Sequence, residues 1–185
     1  PAQRQKLAIA RVLIKRPQLT IVNEAIDRGV QFLLSNQHLD GSWFVGPFAH
    51  YPHAEGGATG LCVAALLHSG LEPDHQAIVR GAAYARSRPM RMFYGAVTRI
   101  LMEDVMGEDA DEDHLKSLAE FVLGGSGSEY FDYPGKDKPD LSITQYAVLG
   151  MWMAKGDGIK IPDKPFERAL KVILREQQSD GGWSY

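Results

Sequence analysis

Two sixteen-residue stretches 140 positions apart share Arg, Leu, Gln, Asp, Gly and Trp in one register, and that self-similarity limits the folds open to this chain. Arg28-Gly29-Val30-Gln31-Phe32-Leu33-Leu34-Ser35-Asn36-Gln37-His38-Leu39-Asp40-Gly41-Ser42-Trp43 overlays Arg168-Ala169-Leu170-Lys171-Val172-Ile173-Leu174-Arg175-Glu176-Gln177-Gln178-Ser179-Asp180-Gly181-Gly182-Trp183. A third copy opens alike: Ala25-Ile26-Asp27-Arg28-Gly29 matches Ala77-Ile78-Val79-Arg80-Gly81, after which Pro89 stands where the glutamine belongs. A fourth, weaker copy runs from Leu115 to Leu123 and ends in Gly124-Gly125.

Each copy begins as an amphipathic helix. In the first, Ile26, Val30, Leu33 and Leu34 recur at helical spacing, and a glycine-containing turn stops the helix. A second segment follows that is apolar nearly all round: Gly57–Ser69, Met92–Met106 and Ser142–Ala154. Such helices bury more than one side. The alternation predicts an all-α chain with two concentric layers, outer helices with one wet face and inner helices around a central space. Four outer and three inner segments are expected.

The Gln-x-x-Asp-Gly-x-Trp pattern after an Arg-Gly/Ala helix resembles the QW motif of the squalene cyclase and protein prenyltransferase superfamily. Asp140-Leu141-Ser142-Ile143-Thr144-Gln145-Tyr146-Ala147-Val148-Leu149-Gly150-Met151-Trp152 resembles an inner helix of bacterial members, and Ile161-Pro162-Asp163 fits the same set. Over residues 22–185 the resemblance implies an (α/α) toroid. Within that family the motif is structural, so Gln37, Asp40, Gly41, Trp43, Gln177, Asp180, Gly181 and Trp183 are expected to staple neighbouring helix ends. A complete toroid of this kind has about a dozen helices, and repeat units need polar end caps. The sequence therefore reads as an incomplete toroid with an open apolar edge, suited to self-association.

Residues 1–21 read as a separate basic segment. Residues 3–25 also resemble the stretch of ABC-transporter ATPases from signature helix to Walker B strand. Asn23 stands where that family has a Mg²⁺-binding aspartate, Pro1-Ala2 where it has glycines, and no G-x-x-x-x-G-K-[ST] loop occurs in the chain. A nucleotide cofactor is not expected.

The resemblance places its chemistry on an inner helix. Squalene–hopene-type cyclases protonate substrate with the central acid of Asp-x-Asp-Asp-Thr, and the matching stretch is Asp140-Leu141-Ser142-Ile143-Thr144. Ser142 and Ile143 occupy the acidic positions, and a hydroxyl is too weak an acid for that step. Asp140 remains a catalytic candidate, but an N-cap suits it better. Asp111, in the acidic stretch Asp109-Ala110-Asp111-Glu112-Asp113, is the other, although a solvated carboxylate there would be ionised. A calcium loop beginning at Asp109 fails at its sixth position, where His114 replaces glycine. Cys62, His68, His50 and His53 lack the ligand spacing of a zinc site, so no metal is expected. Arg80, Arg86, Arg88 and Arg91 suit either a diphosphate or a solvated helix end. Phe93, Tyr94, Tyr146 and Trp152 are cavity-lining candidates, with Tyr130, Phe131 and Tyr133 as further aromatics; a hydrophobic core explains them too.

The net charge of −3 gives no reason to expect nucleic acid as partner, and no apolar run is long enough for a membrane span. One cysteine precludes an internal disulfide. The expected function is a non-catalytic toroid module that binds an apolar or isoprenoid ligand, or a protein partner, in its concave centre. The alternative is a terpene cyclase or prenyltransferase-type enzyme whose catalytic residues lie in further repeats.

Overall fold

A computed structural model describes residues 17–43, 56–125, 131 and 140–183. The chain divides into two compact units, residues 1–36 and 37–185. Among the described residues there are seven α-helices, one short 3₁₀ turn and no strand.

The first unit contributes α1 (Pro17–Ser35). Proline suits the first helical position, where its missing N–H costs nothing. The helix closes through Asn36, whose backbone N–H and side-chain amide both donate to the Phe32 carbonyl, at 3.1 and 2.7 Å. The boundary expected between residues 21 and 22 falls inside this continuous helix, because no proline or turn interrupts it after Pro17. The ATPase-like stretch lies mostly outside the described residues.

The second unit holds α2 (Gly57–His68), α3 (Gln76–Ser87), α4 (Phe93–Met106), a 3₁₀ turn (Gly107–Asp109), α5 (Glu112–Gly124), α6 (Leu141–Gly156) and α7 (Lys164–Arg175). The apolar helices α2, α4 and α6 pack directly on one another. Small residues allow the approach: a Cβ on Gly57 would lie 2.7 Å from Gly95 Cα, and one on Gly150 2.8 Å from Val97 Cγ2. Gly57 meets Gly95 and Gly60 meets Thr98 and Arg99, while Tyr94 meets Ser142 and Tyr146. N-terminal turns thus adjoin N-terminal turns, and the three helices form a parallel row. The amphipathic helices fill in beside it: α3 on α2, α5 on α4 and α6, and α7 on α6.

A continuous core joins α4, α5, α6 and α7 through Val97, Ile100, Leu118, Val122, Ile143, Met151 and Ala169. Burying side chains of this size contributes about 1.5–3 kcal/mol each, before the entropy of ordering them. Phe93 belongs to this core. Its ring lies 5.7 Å from Phe131, edge-on, and 5.9 Å from Phe121.

Two buried charges on α4 fix its neighbours. Arg99 donates to the carbonyls of Ala85 and Arg88 at 3.0 and 2.8 Å, satisfying the C-terminal end of α3. Burial pulls its pKa down to about 10, so it stays charged at neutral pH. One turn on, Glu103 receives Arg86 through both oxygens, at 2.9 and 2.6 Å, and accepts from the Asp111 N–H at 2.9 Å. Arg86, read from sequence as diphosphate-binding or solvated, is instead half of an ion pair whose carboxylate is wholly buried.

Candidate functional site

The two Gln–Trp motifs build the same loop. In the first, the Gly41 N–H donates to the His38 carbonyl and the His38 N–H to the Ser42 carbonyl, both at 2.9 Å. Asp40 Oδ1 accepts from the Ser42 N–H and hydroxyl at 3.0 and 2.7 Å, and those bonds hold its pKa below the usual carboxylate value. Gly41 takes a φ of +91°, a left-handed conformation that suits glycine. The Gln37 amide donates to the Gly41 carbonyl at 3.1 Å. The second motif repeats the backbone and glutamine bonds at Gln177, Gln178, Asp180, Gly181 and Gly182, without the hydroxyl bond since glycine replaces Ser42, and with Gly181 at φ +86°.

They differ in what they grip. Gln37 also donates to the Ala77 carbonyl on α3 at 2.8 Å and accepts from the Arg80 guanidinium at 2.8 Å. The Trp43 N–H donates to Thr59 Oγ1 on α2 at 3.2 Å, and its ring lies on Gly81 and is 6% exposed. A Cβ on Gly81 would come within 2.8 Å of that ring. Among the described residues the Gln177 side chain bonds Gly181 alone, and Trp183 donates to Ile173 on α7 at 2.7 Å while remaining 48% exposed. The first motif is joined to α2 and α3, whereas the second, among the described residues, is a formed loop held to its own helix.

A different surface carries exposed apolar side chains. Along the parallel row, α2 exposes Leu61 and Ala65, and α6 exposes Leu149 and Trp152, the last at 66%. Between them α4 offers half-buried Tyr94, Thr98, Leu101 and Val105 at helical spacing. Tyr94 and Tyr146 meet edge-on with centroids 4.8 Å apart, and the Tyr94 hydroxyl bonds the Ser142 hydroxyl at 2.5 Å. Of the four aromatic candidates, Tyr94 and Tyr146 are in contact and Trp152 stands two turns further along α6. Phe93 faces the core on the other side of α4. Tyr130 and Tyr133 lie outside the described residues.

The acid candidates are engaged elsewhere. Asp140 caps α6, accepting from the Ile143 N–H at 2.9 Å, and Asp111 caps α5, accepting from the His114 N–H at 2.9 Å. Thr144 is buried and bonds the Asp140 carbonyl at 2.8 Å. Burial pushes the Cys62 thiol up to about 11, which leaves it protonated. No group of three or more His, Cys, Asp or Glu side chains suited to a metal occurs among the described residues, and His50 and His53 lie outside them. Arg80 and Arg88 line an open depression of about 420 Å³ together with Asp40, Tyr84 and Ser87. Arg88 lies 4.7 Å above the Tyr84 ring. No described helix is long and apolar enough to cross a membrane.

Sequence reasoning missed the Arg86–Glu103 pair and the capping role of Arg99. It also missed that Phe93 and Phe131 hold buried positions after α3 and α5 comparable to that of Trp43 after α1. The signal was present: each lies twelve residues beyond the Gly81 or Ala119 of its helix, against fourteen from Gly29 to Trp43. No family model, curated protein or solved structure matches the chain.

Proposed function

We propose that this chain is a non-catalytic repeat module of (α/α) toroid type, and that the exposed apolar side of its parallel helix row receives an apolar ligand, isoprenoids included, or an apolar protein segment. The observation that carries this reading is Trp152, a large aromatic standing 66% exposed beside the exposed Leu149 on a helix whose opposite side is packed into the core. Large apolar side chains grouped on one surface mark interaction sites more often than inert exterior. The Tyr94–Tyr146 pair adds rigid aromatic area at low entropic cost. The toroid form is supported by the alternation of row helices and amphipathic helices and by the joint that ties Gln37 and Trp43 to α3 and α2.

Binding and not catalysis is favoured because Asp140 and Asp111 are committed to capping helices, and because Ser142 and Ile143 occupy the positions where the resembling cyclases carry acids. An isoprenoid enzyme assembled with further repeats remains the second reading, supported by the aromatic faces of Tyr94, Tyr146 and Trp152, which would stabilise a carbocation.

A thermal melt with and without squalene or farnesyl diphosphate tests the proposal. A ligand present at about 100 times its Kd stabilises the native state by about 2.7 kcal/mol, several degrees for a domain of this size. The upward shift is expected for the native chain and should vanish in Trp152→Ser. If neither isoprenoid shifts the melt, the apolar-ligand form is abandoned. Turnover of either compound, detected by chromatography of the extracted mixture, would replace the binding module with the enzyme.

A further inference from the structure

The exposed side of the parallel helix row changes character along its length. On α4 it runs from Tyr94 and Thr98 to Leu101, and the exposed Asp104 stands one turn further on. The ten residues from Tyr94 to Asp104 rise about 15 Å. At the far end the row turns acidic. Asp157, which directly follows α6, is hydrogen-bonded side chain to side chain with Asp104, and burial together with the Asp104 charge raises its pKa above the usual carboxylate value. Two carboxyls in contact repel each other unless a proton or a cation lies between them. The nearby bases do not supply that charge. Lys155, in the last turn of α6, pairs with Asp163 at 2.7 Å and lies over the Phe166 ring of α7. The last turn of α4 has no basic residue, and that of α2 offers His68 alone. Among the described residues neither aspartate has an ion-pair partner. Because α2, α4 and α6 run parallel, their C-terminal carbonyls gather at this same end and add partial negative charge.

We infer that the ligand of the row is an apolar chain ending in a protonated amine, with the ammonium held between Asp104 and Asp157 and the chain laid back along Leu101 and Leu149 toward the Tyr94–Tyr146 pair. The inference rests on the apolar-face reading given above and adds the headgroup to it. Charge complementarity selects that headgroup. An ammonium brings three donors to two acceptor groups and removes the repulsion between them. A carboxylate or phosphate head would add a third negative charge at the same place, and a hydroxyl would leave the two aspartates without a counter-charge. The chain itself gains by covering apolar side chains that otherwise face water.

The experiment is calorimetric titration of the whole chain at pH 7 with decylamine, decanol and decanoate, each below its aggregation limit, with circular dichroism to verify that the helices persist. Decylamine is expected to bind about tenfold more tightly than decanol, the gain from a charged hydrogen bond over a neutral one, and decanoate more weakly than either. Replacing both acids, Asp104→Asn with Asp157→Asn, should abolish the preference for the amine and leave the affinity for decanol unchanged. Glu120→Gln, which removes an exposed acid on α5, should keep the preference and so separates this site from the general attraction of a cation to an acidic protein. Equal binding of decanol and decylamine overturns the inference while the apolar-face reading stands. A preference that survives the double substitution, or one lost in Glu120→Gln, also overturns it. If none of the three compounds binds, the apolar-face reading falls and the inference falls with it.

Discussion

Trp43 and Trp183 occupy the same place in one repeated motif, yet the first is buried against Gly81 and the second stands half in water. Truncating each therefore has unequal effects on the isolated chain. Trp43→Ala should lower stability by about 3–5 kcal/mol, the range for a buried aromatic, and Trp183→Ala, which loses one hydrogen bond and partial burial, by about 1 kcal/mol. Urea midpoints at a concentration where the protein is monomeric would check the contrast. His114 supplies a pH dependence. Its Nε2 is buried with no hydrogen-bond partner among the described residues, and burial holds its pKa below the ordinary 6.5, with Glu103 and Asp111 opposing the shift and Arg99 and Arg86 reinforcing it. The unfolded chain then binds the proton more readily than the folded one. Stability is kept above about pH 6.5 and falls as pH drops from there toward the lower folded value. His114→Gln should flatten that part of a stability–pH curve measured by denaturant titration. At this scale the motif residues were legible because a repeat exposes them. Arg99, Arg86 and Glu103 were not, since charges that meet across helices look in sequence like ordinary solvated runs.

Helix ends carry much of the specificity. Asp111 and Asp140 each satisfy an otherwise unpaired N–H, and Asp→Ala at either should cost about 1 kcal/mol, read from the thermal midpoint. Glu103 acts on two elements at once, holding Arg86 of α3 and the first turn of α5. Glu103→Ala leaves Arg86 without its counter-charge, and breaking a buried pair costs about 3–5 kcal/mol; the partial exposure of Arg86 places the expected loss at the lower end. The apolar helices were the most legible elements, with α2, α4 and α6 each within two residues of the limits read from their composition. Apolarity on every side leaves few alternatives to a buried helix.

For the whole molecule, the alternation of helix types was foreseen and the all-helical architecture is observed. What alternation alone does not encode is direction. The parallel run of α2, α4 and α6 follows from the antiparallel helix between each pair, and it is visible only in cross-helix contacts such as Gly57 with Gly95 and Tyr94 with Tyr146. The exposed side of that row was likewise hidden, since Leu149 and Trp152 are indistinguishable in sequence from the buried Met151 and Met153 beside them.

The Gln177–Trp183 loop closes on its own hydrogen bonds, and this bears on the order of events during synthesis. A chain leaving the ribosome exposes each Gln–Trp loop well before the outer helix that it will grip, and residues emerge at roughly 5–20 per second. Because the loop closes on its own hydrogen bonds, it is a finished template by the time that helix appears. Assembly can then advance one repeat at a time from the N-terminus, each joint closing as its seat arrives, with no long segment held open while it waits.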